Sequence, residues 1–129
     1  MALCFPDDCR YADSHEYAKP EGELVRVGIS AFAVDQLGDI VFVELPPVGR
    51  VLGQHETFGV VESVKAVSDL FAPVAGEVTA GNAALEGAPE LLNADPYGEG
   101  WMLRIRLTDP AQVEELLDAA AYEQLVSEG

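Results

Sequence analysis

Hydrophobic positions along this chain recur mostly at every second residue, the spacing of β-strands. Leu24-Val-Arg-Val-Gly-Ile29 alternates, with Val25, Val27 and Ile29 on one face, and predicts a half-buried strand. Ser30 is placed to N-cap a two-turn helix over Ala31-Phe-Ala-Val-Asp-Gln-Leu37, with Gly38 as its stop. Asp39-Ile-Val-Phe-Val-Glu-Leu45 is apolar on both faces and predicts a central strand. Pro46-Pro-Val-Gly49 predicts a turn and residues 50–52 a short strand ending at Gly53. Strands over 56–62 and 66–71 follow, with a turn near Val64-Lys65 between them. A second proline turn, Pro73-Val-Ala-Gly76, leads into Glu77-Val-Thr-Ala80. The two proline turns, each after an apolar strand, form a faint internal duplication and predict two quasi-equivalent halves paired as a flattened barrel.

The ends of the chain read differently. Residues 1–22 are polar and broken by Pro and Gly, predicting an irregular lead-in. Residues 81–100 predict a surface excursion with about one turn of helix. Trp101-Met-Leu-Arg-Ile-Arg-Leu107 alternates again, with Trp101, Leu103, Ile105 and Leu107 inward and Arg104 and Arg106 outward. Asp109-Pro-Ala-Gln112 supplies an N-cap, an N1 proline and a capping-box glutamine for one helix from Val113 to about Val126. Its inward face carries Val113, Leu116, Leu117 and Ala120. The fold class is therefore mainly β (α+β), with a short helix and a C-terminal helix packed on the sheets, in a single domain over residues 1–129.

Composition narrows the function. An apolar fraction of 49% in 129 residues supports a real core. A net charge of −16, from 23 acids against 7 bases, repels nucleic acid and anionic membranes; it suits docking on basic surfaces, and equally serves plain solubility. No apolar run nears the roughly 20 residues of a membrane span. The first ten residues lack the basic head and apolar run of a signal peptide, so the expected compartment is the cytoplasm. Cys4 and Cys9 have no further Cys/His cluster to complete a zinc site and read as ordinary thiols. Neither His15 nor His55 has a nucleophile partner in sequence: His15 reads as a structural hydrogen-bonding residue beside Glu16 and His55 as an inert residue of an exposed turn. Nucleophile-elbow, phosphate-loop and zinc-protease motifs are absent.

One residue breaks this pattern of exclusions. The chain has two lysines, Lys19 and Lys65, and Lys65 falls where a hairpin must turn. Val60, Val61, Leu70 and Phe71 are positioned to anchor the flanking strands, while Glu62, Ser63, Ser68 and Asp69 keep the tip polar. An amine displayed on rigid strands suits covalent attachment of a swinging arm. Spacing alone leaves a solvated turn lysine open as well.

At Glu62-Ser-Val-Lys-Ala66 the chain resembles the lipoyl-carrying H protein family of the glycine cleavage system. The match includes Ser14-His-Glu-Tyr17, Val27-Gly-Ile-Ser30, residues 37–46, residues 62–69 and Ala72-Pro-Val-Ala-Gly-Glu-Val78. It continues through Pro89-Glu-Leu-Leu-Asn93, Pro96-Tyr97, Gly100-Trp101, Leu116-Leu-Asp118 and Tyr122, covering about residues 11–126. The chain departs from the family at Tyr17 (usually Trp), Ser30 (usually Thr), Phe32 (commonly His) and Gly81 (usually β-branched).

The resemblance implies a barrel-sandwich hybrid and a non-catalytic carrier. It implies lipoate joined by an amide to Lys65, with Glu62, Ser63, Val64 and Ala66 as the modification motif. The implied partners are a pyridoxal-phosphate glycine decarboxylase, an aminomethyltransferase, a dihydrolipoyl dehydrogenase and a lipoyl ligase or transferase. It further implies a cleft that shelters the loaded arm, with Ser14, Glu16 and Asp69 as its polar residues, and a monomer free to visit several enzymes. Three alternatives stay open: a lipoate relay, a biotinyl or 2-oxoacid-dehydrogenase carrier domain, and an interaction domain in which Lys65 is neutral. Against the second, Val64 and Ala66 flank the lysine where biotinyl domains prefer methionine and dehydrogenase lipoyl domains place Asp before it.

Overall fold

The computed structural model describes residues 5–128. The strands are β1 (Arg10–Tyr11), β2 (Glu16–Glu21), β3 (Leu24–Ile29), β4 (Ile40–Glu44), β5 (Val51–Leu52), β6 (Thr57–Ser63), β7 (Val67–Phe71), β8 (Gly76–Gly81) and β9 (Leu103–Leu107). The helices are α1 (Ala31–Leu37), α2 (Ala84–Gly87), α3 (Leu91–Ala94), α4 (Ala111–Glu115) and α5 (Ala119–Glu128). A six-stranded sheet in the order β1-β2-β3-β9-β8-β5 faces a three-stranded sheet in the order β4-β6-β7, with every pairing antiparallel.

The alternation of β3 is realised: Val25, Val27 and Ile29 are buried together with Val43, Val61, Leu70, Val78, Leu103 and Ile105 in one core between the sheets. Ser30 caps α1 by accepting the N–H of Ala33 at 3.2 Å, and Gly38 ends it at φ 80°. The two proline turns bring their following strands together, since β5 pairs with β8 through Val51↔Glu77 and Leu52↔Gly76.

Four expectations are corrected. Within residues 10–21 of the lead-in, β2 pairs with β3 and β1 with β2, so the two strands extend the large sheet to its edge. The polarity that hid them belongs to an edge, and Tyr17 and Ala18 within them are fully buried. The strand over 39–45 is an edge, not a centre: β4 pairs only with β6, and Val41 and Phe42 are about half exposed. Two one-turn helices, α2 and α3, occupy the excursion and drive Leu85 and Leu92 into the core.

The fourth correction concerns the C-terminal helix, which is broken. Leu116-Leu-Asp118 separates α4 from α5, because Leu117 forms a β-bridge with Tyr11 through reciprocal hydrogen bonds of 2.8 and 2.9 Å. Asp118 then starts α5 by accepting the N–H of Ala121 at 2.8 Å. Ala119 and Tyr122, not Ala120, face inward, in an aromatic cluster with Tyr11, Tyr17 and Cys9. Gln112 does not close a capping box; its Oε1 accepts the N–H of Ala75 at 2.7 Å and pins the second proline turn. Asp109 does cap, accepting the N–H of Ala111 at 3.0 Å.

Candidate functional site

The hairpin of β6 and β7 ends in a tight polar tip made by one side chain. Ser63 Oγ accepts the N–H of Lys65 at 3.3 Å and of Ala66 at 3.1 Å, while the Ser63 N–H donates to the Ala66 carbonyl at 2.8 Å. Residues 64–66 are left outside both strands and exposed, and Glu62 is half-buried below them. Lys65 makes no ion pair or side-chain hydrogen bond among the described residues. Lys19 lies in the middle of β2 and pairs with Asp8 at 3.5 Å. The charged side chains of Arg26, Arg50, Arg104 and Arg106 are likewise paired with Glu21, Glu56, Glu21 and Glu77. Lys65 is thus the lysine whose amine is open to solvent and to another molecule.

A cleft of about 300 Å³ opens beside the hairpin, between α1, the β1–β2 turn and strands β6 and β7. Ile29, Phe32, Leu37, Val61 and Leu70 supply apolar wall, and Ser14, Glu16 and Asp69 supply polar groups. The structure therefore brings together the three residues that the sequence put forward for a cleft. Lys65 is not part of the lining; its Cε lies 3.7 Å from the point where a Cβ on Gly38 would stand, one residue beyond Leu37. A larger hollow of about 620 Å³ between β4 and α2 is lined by none of the expected site residues.

Glu16 is the unusual member. It is only 2% exposed, its carboxylate takes hydrogen bonds from the Ser14 hydroxyl and from the Phe71 N–H at 3.1 Å, and burial pushes its pKa up to about 7. Those two bonds, which favour the ionised form, offset burial only in part. Asp69, by contrast, is exposed at the cleft rim.

His15 is a structural hydrogen-bonding residue, as the sequence suggests, but its partner is not legible there. It has φ 80°, its Nδ1 lies 2.7 Å from the Tyr122 hydroxyl, and its ring packs on Phe32 at 4.9 Å between centroids. The same hydroxyl lies 2.7 Å from Ser30 Oγ, the cap of α1. Burial lowers the His15 pKa, so the cleft receives a neutral imidazole at neutral pH. Its neighbours in the chain give no sign of this, because its partners lie in α1 and α5. His55 is exposed, in the turn before β6. Cys9 is buried and free, with its thiol pushed up to about 12 by burial and by Asp8; Cys4 lies outside the described residues. No group of three or more His, Cys, Asp or Glu among the described residues is arranged to hold a metal, and none of the helices is long and apolar enough to cross a membrane.

Comparison with known proteins matches this geometry to a family. The model of the glycine cleavage H-protein family matches residues 9–129. A glycine cleavage system H protein of Parasynechococcus marenigrum is 62% identical over 129 residues, covering all of both chains. One from Symbiobacterium thermophilum is 57% identical over 124 residues, covering 96% of this chain and 97% of its own. The crystal structure of a glycine cleavage system H protein from Mycobacterium marinum superposes with a TM-score of 0.88 at 40% identity, covering 95% of this chain and 99% of that one. An open amine on a clamped hairpin, a half-apolar cleft beside it and these full-length likenesses agree: the chain belongs to the glycine cleavage H-protein family, the non-catalytic carriers that bear lipoate covalently on a lysine.

Proposed function

We propose that Lys65 is the attachment lysine of this carrier and that the adjacent cleft shelters its loaded arm. One observation carries the reading: of the two lysines, Lys65 alone is exposed on a hairpin tip without a partner, while Lys19 is held mid-strand by Asp8. The residues present suit the group. Ser63 fixes the tip backbone so that the attachment point does not move with the arm. Phe32, Leu37, Val61 and Leu70 offer apolar surface to an alkyl chain, and Glu16, Ser14 and Asp69 offer polar contacts at the cleft.

When bound, the lipoyl group would supply, at the end of a long arm, a cyclic disulfide whose S–S bond opens to leave one sulfur as a thiol and the other bearing the aminomethyl unit of glycine. Glu16 and Asp69 are the carboxylates that receive a cationic amine brought into the cleft. A charge-assisted hydrogen bond of this kind is worth roughly 1.5–3 kcal/mol. Ser14 orients the Glu16 carboxylate by donating to it, and the Phe71 N–H holds its other oxygen. The partners are the glycine decarboxylase, the aminomethyltransferase, the dihydrolipoyl dehydrogenase and a lipoyl ligase or transferase, working in the cytoplasm on a monomeric carrier. A surface with net charge −16 steers it towards basic docking patches on them.

Intact mass and peptide mapping of the protein from lipoate-supplied cells test the assignment. One lipoyl group on Lys65, lost in Lys65→Arg and kept in Lys19→Arg, is the expected result. A lipoyl group on Lys19, or none despite a competent ligase, overturns it, and a biotinyl mass places the protein in a different pathway.

A further inference from the structure

Asn93 lies in α3, in neither the hairpin nor the cleft lining, yet its side chain grips the corner on which the hairpin tip rests. Asn93 Oδ1 accepts the N–H of Ile40 at 2.9 Å, and its Nδ2 donates to the carbonyl of Gly38 at 2.8 Å. The two bonds use opposite ends of the amide, so a single orientation satisfies both. They close around Gly38-Asp-Ile40, the corner between α1 and β4. Gly38 holds φ 80° and ψ −148° there, a conformation that side-chain-bearing residues rarely adopt.

The same corner receives the tip. The Val64 N–H donates to the Asp39 carbonyl at 3.1 Å, and the Lys65 stem passes Gly38 with Cε 3.7 Å from its would-be Cβ. Val64 and Val67 are about two-thirds exposed, so their side chains bury little apolar surface at the tip. Among the described residues, the Val64–Asp39 bond is the hydrogen bond that ties residues 64–66 to anything outside their own hairpin. Asn93 thus clamps the residues on both sides of the one that holds the tip. Gln36 and Leu37, just before the corner, form the near wall of the cleft.

We infer that Asn93 is a positioning residue for the modified lysine: by clamping Gly38 and Ile40 it sets the direction in which the Lys65 side chain leaves the hairpin relative to the cleft. The inference rests on Lys65 being the attachment point. Asn93 acts through the Gly38–Ile40 corner and touches neither the arm nor its cargo.

Backbone amide exchange in the full chain tests it, read on Asn93→Ala and on Val74→Ala, a core truncation away from the corner. In Asn93→Ala the Val64 amide, which Asn93 does not touch, is expected to exchange about tenfold faster, the scale of one lost hydrogen bond. The Tm should fall by no more than about 5 °C. Lipoylation by a lipoate ligase should slow severalfold through KM, with kcat near that of the parent. Asn93→Asp keeps the acceptor for Ile40 and loses the donor to Gly38, so intermediate values are expected for Val64. Val64 exchange that is unchanged, or that rises no more than in Val74→Ala at matched Tm loss, overturns the clamp while leaving the attachment site intact. An unmodified Lys65 in the parent chain overturns the attachment reading and the role given to Asn93 with it.

Discussion

Glu16 accepts the N–H of Phe71 at 3.1 Å, across 55 residues of sequence, so the buried carboxylate of β2 is fastened to the end of the strand that descends from Lys65. Its pKa of about 7 has a consequence for stability. A carboxyl whose folded pKa lies above its unfolded value of 4.5 binds more protons when folded. Stability is then greatest below pH 4.5 for this group and falls as pH rises from 4.5 to 7, by on the order of 3 kcal/mol. The Asp13 charge reinforces the shift, and the Ser14 and Phe71 bonds oppose it. In Glu16→Gln that component is expected to vanish. The difference between the two proteins in urea-melt free energy, taken across pH 4.5–7, reads it directly, because the titrations of the other acids cancel. A pH-independent difference would show that the buried carboxyl is not the titrating group.

Tyr122→Phe removes one oxygen that sits 2.7 Å from both His15 Nδ1 and Ser30 Oγ. Ser30 is completely buried and keeps its contact with Ala33, whereas His15 loses the polar partner that holds its ring. Loss of a buried shared hydroxyl costs about 1–3 kcal/mol. Chemical denaturation should register that loss with an unchanged m-value. Because His15 lines the cleft, release of its ring should weaken lipoyl-arm retention as well.

Ser63→Ala deletes the oxygen that gathers the amides of Lys65 and Ala66. Both amides lie in the exposed tip and find water instead, so the stability cost is about 1 kcal/mol or less. The effect on modification is expected to be larger than the effect on stability. A tip no longer held in one conformation charges the ligase the ordering entropy, and initial lipoylation rates measured by mass spectrometry should fall severalfold while the Tm moves little.

What the sequence reveals follows the range of the forces involved. Local determinants are legible: the β3 alternation, the Ser30 cap and the Gly38 stop each depend on residues within a few positions. The Lys65 hairpin is legible because a lysine between two strand patterns is a local signal. The edge strands are not, since β2 takes its order from pairing with β3, and β1 from β2 and from the Tyr11–Leu117 bridge over a hundred residues away. That same bridge breaks the C-terminal helix, which its own periodicity supports as continuous. Within the cleft, family resemblance supplies Ser14, Glu16 and Asp69; the apolar wall and the His15–Tyr122–Ser30 contacts exist only once α1 and α5 are docked.

The two carboxylates of the cleft should differ in what they contribute to retention of a loaded arm. Glu16 is buried, so its attraction for an amine is little screened, and roughly 1.5–3 kcal/mol is at stake. Asp69 is exposed, and an ion pair there is worth no more than about 1 kcal/mol. If the aminomethyl group is lost only while the arm is out in water, the decay rate follows the open fraction. Glu16→Gln should then speed decay about 10- to 100-fold and Asp69→Asn no more than about fivefold. Salt should separate them further: raising ionic strength from 0.05 to about 0.5 M should erase the Asp69 contribution and leave most of that of Glu16. Decay of ¹⁴C-aminomethyl label from the loaded carrier measures both. Equal effects of the two substitutions, or none, would mean that apolar contact with Phe32, Leu37 and Leu70 holds the arm and that the carboxylates do not.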